Sequence, residues 1–87
     1  MRVIFVKESW EDYEYWIKTD SKVIKKINSI IKDIKTSPFS GIGKPELLKH
    51  NYNGYWSRRI TQEHRFIYKI DSGGDLIIVK LRYHYDK

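Results

Sequence analysis

The chain has 87 residues, with 17 lysines and arginines against 11 aspartates and glutamates, which gives a formal net charge of +6. This length allows one small domain with a modest core, and we expect that domain to span residues 1–87. The absence of cysteine excludes disulfides and thiolate metal sites. The apolar run at residues 3–6 is too short for a signal peptide or a membrane span, so we expect a cytoplasmic protein.

The composition combines positive charge with aromatic side chains, which make up 15% of the residues. Cations neutralise phosphates and aromatic rings stack on unpaired bases, so this combination favours a nucleic-acid partner. A domain with a positive surface and no such partner has the same composition, because net charge bears on association and not on chemistry. Composition leaves both interpretations open.

The N-terminal part of the chain predicts a strand followed by a helix. Residues 2–6 are mostly β-branched or aromatic, which is typical of a strand. Ser9, three residues before Asp12, has the spacing of a helix N-cap with an acidic third position. The apolar stripe of this helix is predicted to contain Trp10, Tyr13, Trp16 and Ile17.

A second helix follows, with regular apolar periodicity. Asp20 or Ser21 can cap it, and Ser37 ends it because the residue before proline is disfavoured in the α region. Its apolar residues recur at helical spacing: Val23, Ile24, Ile27, Ile30, Ile31 and Ile34. Its other side is rich in lysine, which we interpret as a solvated face.

The C-terminal half predicts strands. Residues 37–55 form a long irregular stretch, and connections of this length tend to be functional. Strands are predicted over residues 56–61 and 64–70, and a hairpin loop at residues 71–74 leads to a closing strand over residues 75–85. The predicted fold is α+β, of order β-α-α-β-β-β, with two N-terminal helices packed on one face of a small antiparallel sheet.

Alternation divides the closing strand into two faces. The apolar set is expected to face the core: Ile77, Val79, Leu81 and Tyr83. The other set carries Lys80, Arg82 and His84 onto the open face, by which we mean the side of the sheet opposite the helices. Arg65 is expected on the same open face, whereas His64 shares the apolar parity of its strand and is expected to satisfy a backbone group.

A glutamate, an arginine and a histidine together supply what cleavage of RNA by its own 2′-hydroxyl requires. One group removes the hydroxyl proton, one donates a proton to the departing 5′-oxygen, and a fixed cation stabilises the phosphate charge. This chemistry needs no metal and no cofactor. The sequence has neither a paired Asp/Glu cluster typical of two-metal nucleases nor a glycine-rich phosphate loop.

A series of short runs extends along nearly the whole chain: Glu8-Ser9-Trp10, residues 16–20, Lys25-Lys26-Ile27-Asn28, Pro38-Phe39, Gly43-Lys44-Pro45-Glu46, Leu48-Lys49-His50-Asn51, residues 56–61, Glu63-His64-Arg65 and Arg82-Tyr83-His84-Tyr85. In this order and spacing they resemble the Txe/YoeB family of bacterial toxins, within the RelE superfamily. The resemblance implies a RelE-like fold. It also implies a ribosome-dependent mRNA endoribonuclease, the toxin half of a type II toxin–antitoxin pair, which cuts messenger RNA in the ribosomal A site.

The resemblance also implies roles for individual residues. Glu46 resembles the family's general base and His84 its general acid. Arg65 matches the group that stabilises the transition state, and Tyr85 matches a further contributor at the scissile phosphate. The basic residues that line the family's site correspond to Lys49 and Arg59.

The partners implied by the resemblance are mRNA on the ribosome and a YefM-like antitoxin, whose flexible acidic segment would wrap the basic toxin. A homodimer is a further expectation, because family members self-associate. Two alternatives from other classes stay open: a non-catalytic RNA- or ribosome-binding module, and a domain that binds only a protein partner. Leu48 departs from the family pattern, because close relatives often carry proline there, and we expect a looser loop behind Glu46.

Overall fold

The computed structural model describes residues 1–84. Within them the elements are β1 (Val3–Phe5), α1 (Lys7–Thr19), α2 (Ser21–Thr36), β2 (Glu46–Leu47), a 3-10 helix (His50–Tyr52), β3 (Trp56–Arg59), β4 (Arg65–Ile70) and β5 (Leu76–Lys80). The predicted α+β class and the order in which strand, helices and strands follow one another are confirmed.

The strands of residues 1–84 form one five-stranded sheet in the order β1-β5-β4-β3-β2. Neighbours among β2 to β5 are antiparallel, whereas β1 lies parallel to β5, with Val3 opposite Leu76. A parallel pair requires a long crossover connection, and this crossover contains both helices. The sheet is therefore mixed, and the predicted antiparallel arrangement holds for its C-terminal strands.

The long stretch that was predicted to be irregular contains β2 and the 3-10 helix. β2 pairs antiparallel with β3, with Glu46 opposite Ser57. The Leu48 N–H donates to the carbonyl oxygen of Tyr55 at 2.9 Å, which closes the connection between the two strands. A two-residue strand has no periodicity of its own, so only pairing with β3 defines it.

α2 confirms the predicted cap and periodicity. The Asp20 carboxylate accepts hydrogen bonds from the backbone N–H groups of Lys22 and Val23, which have no partner within the helix. The buried residues of α2 are Val23, Ile27, Ile30 and Ile34. They form one core with Phe66 and Tyr68 of β4 and with the buried residues of β5.

α1 differs from the prediction at its start and on its buried side. It begins at Lys7, so Ser9 lies inside the helix and is not its N-cap. The predicted stripe is wrong in part, because Trp10 and Ile17 are 45% and 57% exposed. The buried residues of α1 are Ser9, Asp12 and Trp16.

Polar groups on this buried side bind the backbone at the end of β5. Ser9 Oγ donates to the carbonyl oxygen of Ile78 at 2.6 Å. The Asp12 carboxylate accepts the N–H of Leu81, and Trp16 Nε1 donates to the carbonyl of the same residue, both at 2.9 Å. Burial raises the pKa of Asp12. An apolar pattern does not detect such a contact side, because two of its three residues are polar.

β5 contains a bulge, so the predicted faces are wrong before it and hold for Lys80 and Leu81 after it. Tyr68 of β4 lies opposite Ile78, but its neighbour Ile67 lies opposite Lys80, so Val79 is the extra residue. Before the bulge the strand buries Leu76 and Ile78, and after it the chain buries Leu81. The prediction that Ile77 and Val79 would face the core is therefore wrong. Leu76 and Ile78 are as apolar as Ile77 and Val79, so alternation alone could not show which pair is buried.

The remaining predictions concern the hairpin and the membrane. The Gly74 N–H donates to the carbonyl oxygen of Asp71 at 2.9 Å, which confirms the hairpin loop. Among the described residues, neither helix is long and apolar enough to cross a membrane.

Candidate active site

The loop that leads to Glu46 is held by a buried arginine. Arg58 of β3 is fully buried on the helix side of the sheet, where its guanidinium pairs with the Asp33 carboxylate and donates to the Tyr68 hydroxyl. The loop carbonyls that accept from the same guanidinium belong to Ser37, Ser40 and Ile42. No sequence pattern singled out Arg58 as a structural residue, although alternation in β3 places it on the same side as Trp56.

A second contact, a backbone hydrogen bond, holds this loop at a point closer to Glu46. The Arg59 N–H donates to the carbonyl oxygen of Gly43 at 2.6 Å. Gly43 has a φ of +79°, and a Cβ there would lie 3.0 Å from the carbonyl oxygen of Arg59, so glycine suits the position. Three residues later the chain pairs with β3, which carries Glu46 to the edge of the sheet.

Glu46 belongs to a row of cross-strand neighbours on the open face. The row contains Glu46, Ser57, Ile67 and Lys80. Directly paired residues point to the same side of a sheet. Phe66, the neighbour of Ile67 along β4, lies in the helix-side core, so the row faces away from the helices. The expected open-face position of Lys80 is confirmed.

Arg59 and Arg65 form the next pair along this face. They lie opposite each other, two residues beyond Ser57 and Ile67, and Arg59 is exposed whereas Arg65 is half-buried. With strands about 4.8 Å apart and about 6.8 Å per two residues, the Cα of Glu46 lies roughly 8 Å from that of Arg59 and roughly 12 Å from that of Arg65. Side chains that extend from these positions can meet a phosphodiester between them.

The turn between β3 and β4 orients the Arg65 guanidinium. Its Nη1 donates to three carbonyl oxygens, at 2.9 Å to Thr61, 3.0 Å to Gln62 and 3.2 Å to His64. Carbonyl oxygens satisfy these donors without supplying a formal negative charge. The turn therefore holds the guanidinium at this end of the open face.

The chain beyond β5 continues beside β4 and brings His84 to the same end of the sheet. The Arg65 N–H donates to the carbonyl oxygen of Tyr83 at 3.0 Å, and the Tyr83 N–H donates to His64 Nδ1 at 2.7 Å. His84 is the next residue and is exposed. The predicted backbone contact of His64 is confirmed. The prediction that Tyr83 lies in the core is wrong, because its side chain is 56% exposed.

Arg82 does not lie with these groups. Its guanidinium packs over the Tyr15 ring of α1, 3.8 Å from the ring centroid, so the expectation that it shares the open face with Arg65 is wrong. β5 ends at Lys80, so the alternation of a strand no longer determines the direction of the Arg82 side chain. Tyr85 lies outside the described residues.

Lys49 is exposed and directly follows Leu48, which is 3% exposed. The hydrogen bond from the Leu48 N–H to Tyr55 could not form with proline, which has no N–H. Leu48 therefore anchors the loop behind Glu46, contrary to the expectation that it loosens the loop.

One end of the open face thus has a carboxylate at the edge and a pair of arginines, Glu46, Arg59 and Arg65, and the segment that bears His84 runs beside Arg65. A carboxylate and an imidazole can accept and donate protons, and guanidinium groups bind phosphate oxygens in planar, two-pronged geometry. Groups of these types can bind a phosphodiester and transfer protons to and from it.

Comparison with known proteins identifies the family of this chain. Residues 5–85 match the model of a family described as YoeB-like toxin of bacterial type II toxin-antitoxin system. The chain is 55% identical to Toxin YoeB of Escherichia coli O6:H1 over 85 residues, which cover 98% of this chain and 100% of that protein.

Solved structures agree in fold as well as in sequence. The YoeB/ParE toxin from Agrobacterium tumefaciens superimposes with a TM-score of 0.95 at 49% identity, covering 98% of this chain and 100% of that one. Two structures from Staphylococcus aureus, a YoeB dimer and a heterotetrameric YoeB-YefM toxin-antitoxin complex, give TM-scores of 0.90 and 0.89 at 43% identity, each covering 98% of both chains. The chain therefore belongs to the family of YoeB-like toxins of bacterial type II toxin–antitoxin systems.

Proposed function

We propose that the protein is an endoribonuclease that cleaves messenger RNA in the ribosomal A site and so inhibits translation. The observation that carries this proposal is the convergence of Glu46, Arg65 and the segment bearing His84 at one end of the open face, in a chain of this toxin family. Cleavage of RNA by its 2′-hydroxyl uses three groups of these types: a carboxylate, a fixed cation and an imidazole.

In the proposed reaction Glu46 accepts the proton of the 2′-hydroxyl, and the resulting oxygen attacks the adjacent phosphorus. The bond from phosphorus to the 5′-oxygen breaks as His84 donates a proton to that oxygen. The products are a 2′,3′-cyclic phosphate and a 5′-hydroxyl end, so the proton taken from one oxygen is balanced by the proton given to the other. Arg65 stabilises the charge on the nonbridging oxygens, which is greatest in the transition state.

The basic residues around this centre bind the message. Arg59, directly opposite Arg65, is suited to a nonbridging oxygen of the scissile or neighbouring phosphate. Lys49 follows the buried Leu48 and is suited to an adjacent phosphate as a mobile point charge. Tyr85 is proposed to contribute at the scissile phosphate on the strength of the family resemblance alone.

The proposed partners are a ribosome carrying mRNA, a second copy of the chain, and an antitoxin of the YefM type. The two structures from Staphylococcus aureus support the dimer and the antitoxin, because they are of relatives that cover nearly the whole chain. A formal charge of +6 favours an acidic antitoxin segment. A ribosomal substrate places the proposed site of action in the cytoplasm.

The test is cleavage of end-labelled mRNA on programmed ribosomes by the wild-type protein and by Glu46→Gln and His84→Gln variants. Each substitution removes a proton-transfer group but keeps side-chain size and polarity, and we expect each to slow cleavage by about 10²- to 10⁴-fold. Glu14→Gln is the matched control, because Glu14 is exposed on α1, away from the open face.

Loss of cutting in both variants with the control unchanged would support the assigned roles. Full cleavage by the His84→Gln variant would overturn the assignment of His84 as the general acid. Ribosome binding by the wild-type protein without any cut product would replace the proposal with a non-catalytic ribosome-binding module.

A further inference from the structure

His64 contacts the segments that carry two of the proposed catalytic groups. Its ring Nδ1 accepts the N–H of Tyr83 at 2.7 Å, directly before His84. Its backbone carbonyl accepts from Arg65 Nη1 at 3.2 Å. One residue that is half-buried beside the site therefore links the proposed acid and the proposed cation.

Tyr83 needs such a contact because its backbone is strained. Its φ of +59° lies in the left-handed region, which is unfavourable for a residue other than glycine. Its side chain is 56% exposed and contributes little burial that could offset this cost. The backbone is held on both sides, by His64 Nδ1 at the N–H and by the Arg65 N–H at the carbonyl. These two bonds set the direction in which the chain leaves Tyr83 towards His84.

His64 is itself rigidly held. The edge of its ring packs against Trp16, with centroids 4.8 Å apart and planes at 78°, and Trp16 is fixed by its bond to the Leu81 carbonyl. Its backbone carbonyl accepts the N–H of Ile60 at 2.9 Å, and its N–H donates to Thr61 Oγ1 at 3.1 Å. A ring with so little freedom can transmit its position to the backbone that it binds.

We propose that His64 is a positioning residue for the reaction: its neutral ring, with Nδ1 as acceptor, holds the left-handed turn at Tyr83 that aims His84 at the scissile phosphate. The inference rests on the proposed function, because it assigns His64 a role in the same reaction. His64 does not touch the reacting atoms. It acts through the backbone of Tyr83.

The surroundings of the ring favour the neutral form. Burial lowers the pKa of His64. The facing charges are Glu63, which opposes this shift, and Arg82, His84 and Arg65, which add to it. Because the Tyr83 N–H is a donor, Nδ1 must carry no proton, and the ring proton lies on Nε2.

The test compares His64→Leu with His64→Asn on programmed ribosomes. Leucine fills similar space without an acceptor, whereas the Oδ1 of asparagine occupies about the position of Nδ1. We expect His64→Leu to lower kcat by about 10- to 100-fold, as misplacement of a catalytic group by about 1 Å can do, with KM within about twofold. His64→Asn should recover kcat to within about threefold of the wild type, which corresponds to less than about 0.7 kcal/mol at about 1.4 kcal/mol per factor of ten.

A second readout needs no ribosome. Hydrogen exchange at the Tyr83 amide, followed by NMR, should be slow in the wild type and in His64→Asn and at least about tenfold faster in His64→Leu. If His64→Leu does not fold, His64→Gln replaces it, because its acceptor lies near Nε2 and misses the Tyr83 N–H.

The outcomes separate the two proposals. A wild-type protein that cuts nothing would overturn the proposed function and with it the role of His64 in the reaction, while exchange at Tyr83 would still decide whether the ring holds the turn. Normal cutting by a folded His64→Leu would overturn the inference and leave the proposed function standing. Equal losses in the leucine and asparagine variants would also overturn it, because the acceptor would then not be the cause.

Discussion

Arg58 and Arg59 are consecutive residues of one strand with opposite environments. Arg58 is fully buried on the helix side, paired with Asp33 and bonded to loop carbonyls. Arg59 is exposed on the open face, opposite Arg65. Strand alternation is the cause, because successive side chains point to opposite faces. The same residue type thus contacts the core and its loop on one face of the sheet and is exposed on the other.

The two faces also differ in which charged groups lie side by side. On the helix side, buried polar groups have partners within the protein, as with Ser9, Asp12 and Arg58. At one end of the open face, arginines lie side by side, and like charges opposite each other in a sheet are destabilising. Under the proposed function, an anionic ligand would offset the repulsion between these arginines.

The largest expected effect is on the buried arginine. Arg58→Met should lower the free energy of unfolding by about 3–5 kcal/mol, because it leaves a carboxylate and several carbonyls without their donor. Urea unfolding measures this change. Arg2→Met is the matched control: Arg2 also pairs with an aspartate, but its side chain is 81% exposed, so the loss should be much smaller than for Arg58→Met. Equal losses would contradict the distinction between the two pairs.

Arg59→Met should have the opposite effect to Arg58→Met: it should leave stability nearly unchanged and reduce cleavage. We expect stability within about 0.5 kcal/mol of the wild type, because the residue is exposed. Cleavage on programmed ribosomes should fall by about 10-fold or more, since a lost hydrogen bond to a charged group costs about 1.5–3 kcal/mol. A variant with unchanged cleavage would remove Arg59 from the site.

Gly43→Ala tests the contact between Arg59 of β3 and the loop that leads to Glu46. The φ of +79° and the close approach of the Arg59 carbonyl predict a loss of roughly 1–2 kcal/mol in unfolding free energy. Gly54→Ala is the matched control for backbone strain alone, because it has a φ of +90° but a Cβ there would meet nothing within 4 Å. A larger loss at Gly43, together with reduced cleavage, would connect the loop to the placement of Glu46. Equal stability losses would mean that contact with Arg59 adds nothing.

The smallest effect is a pH dependence. The hydrogen bond from Arg58 lowers the pKa of Asp33. A lowered folded pKa means that the ionised carboxylate stabilises the fold above its unfolded pKa of about 3.9, and that this contribution is lost as the pH falls through the folded value. Asp33→Asn should therefore be less stable than the wild type at pH 7, and the difference should shrink in urea titrations below about pH 4. A difference that stays constant with pH would show that the charge of Asp33 does not matter.

Local signals in the sequence predicted the elements that depend on neighbours along the chain. Asp20 as a cap and the isoleucines of α2 follow from the spacing of a helix, and the hairpin at Asp71 follows from turn chemistry. The predictions failed where contacts between segments far apart in the chain determine the local structure. Ser9 is buried against Ile78, which is 69 positions away in the chain, so its helix-cap spacing was misleading.

For the site, the residue roles came from family resemblance, and their geometry came from the sheet. Glu46 reaches the open face through pairing of β2 with β3, which no local pattern encodes. The bulge at Val79 allows Ile78 to lie in the core while Lys80 lies on the open face, and Arg82, beyond the end of β5, packs over Tyr15 of α1. A bulge depends on packing across the sheet, so strict alternation along one strand cannot be right on both sides of it.

The most direct measurement compares two messages on programmed ribosomes: one of ordinary RNA, and one with a single 2′-deoxy sugar at the nucleotide before the cut. If the open face cleaves RNA by 2′-hydroxyl attack, the wild-type protein will cut the first message and leave the second intact. Cleavage of both messages at the same position would contradict the account, because the attacking group would then not be the 2′-hydroxyl.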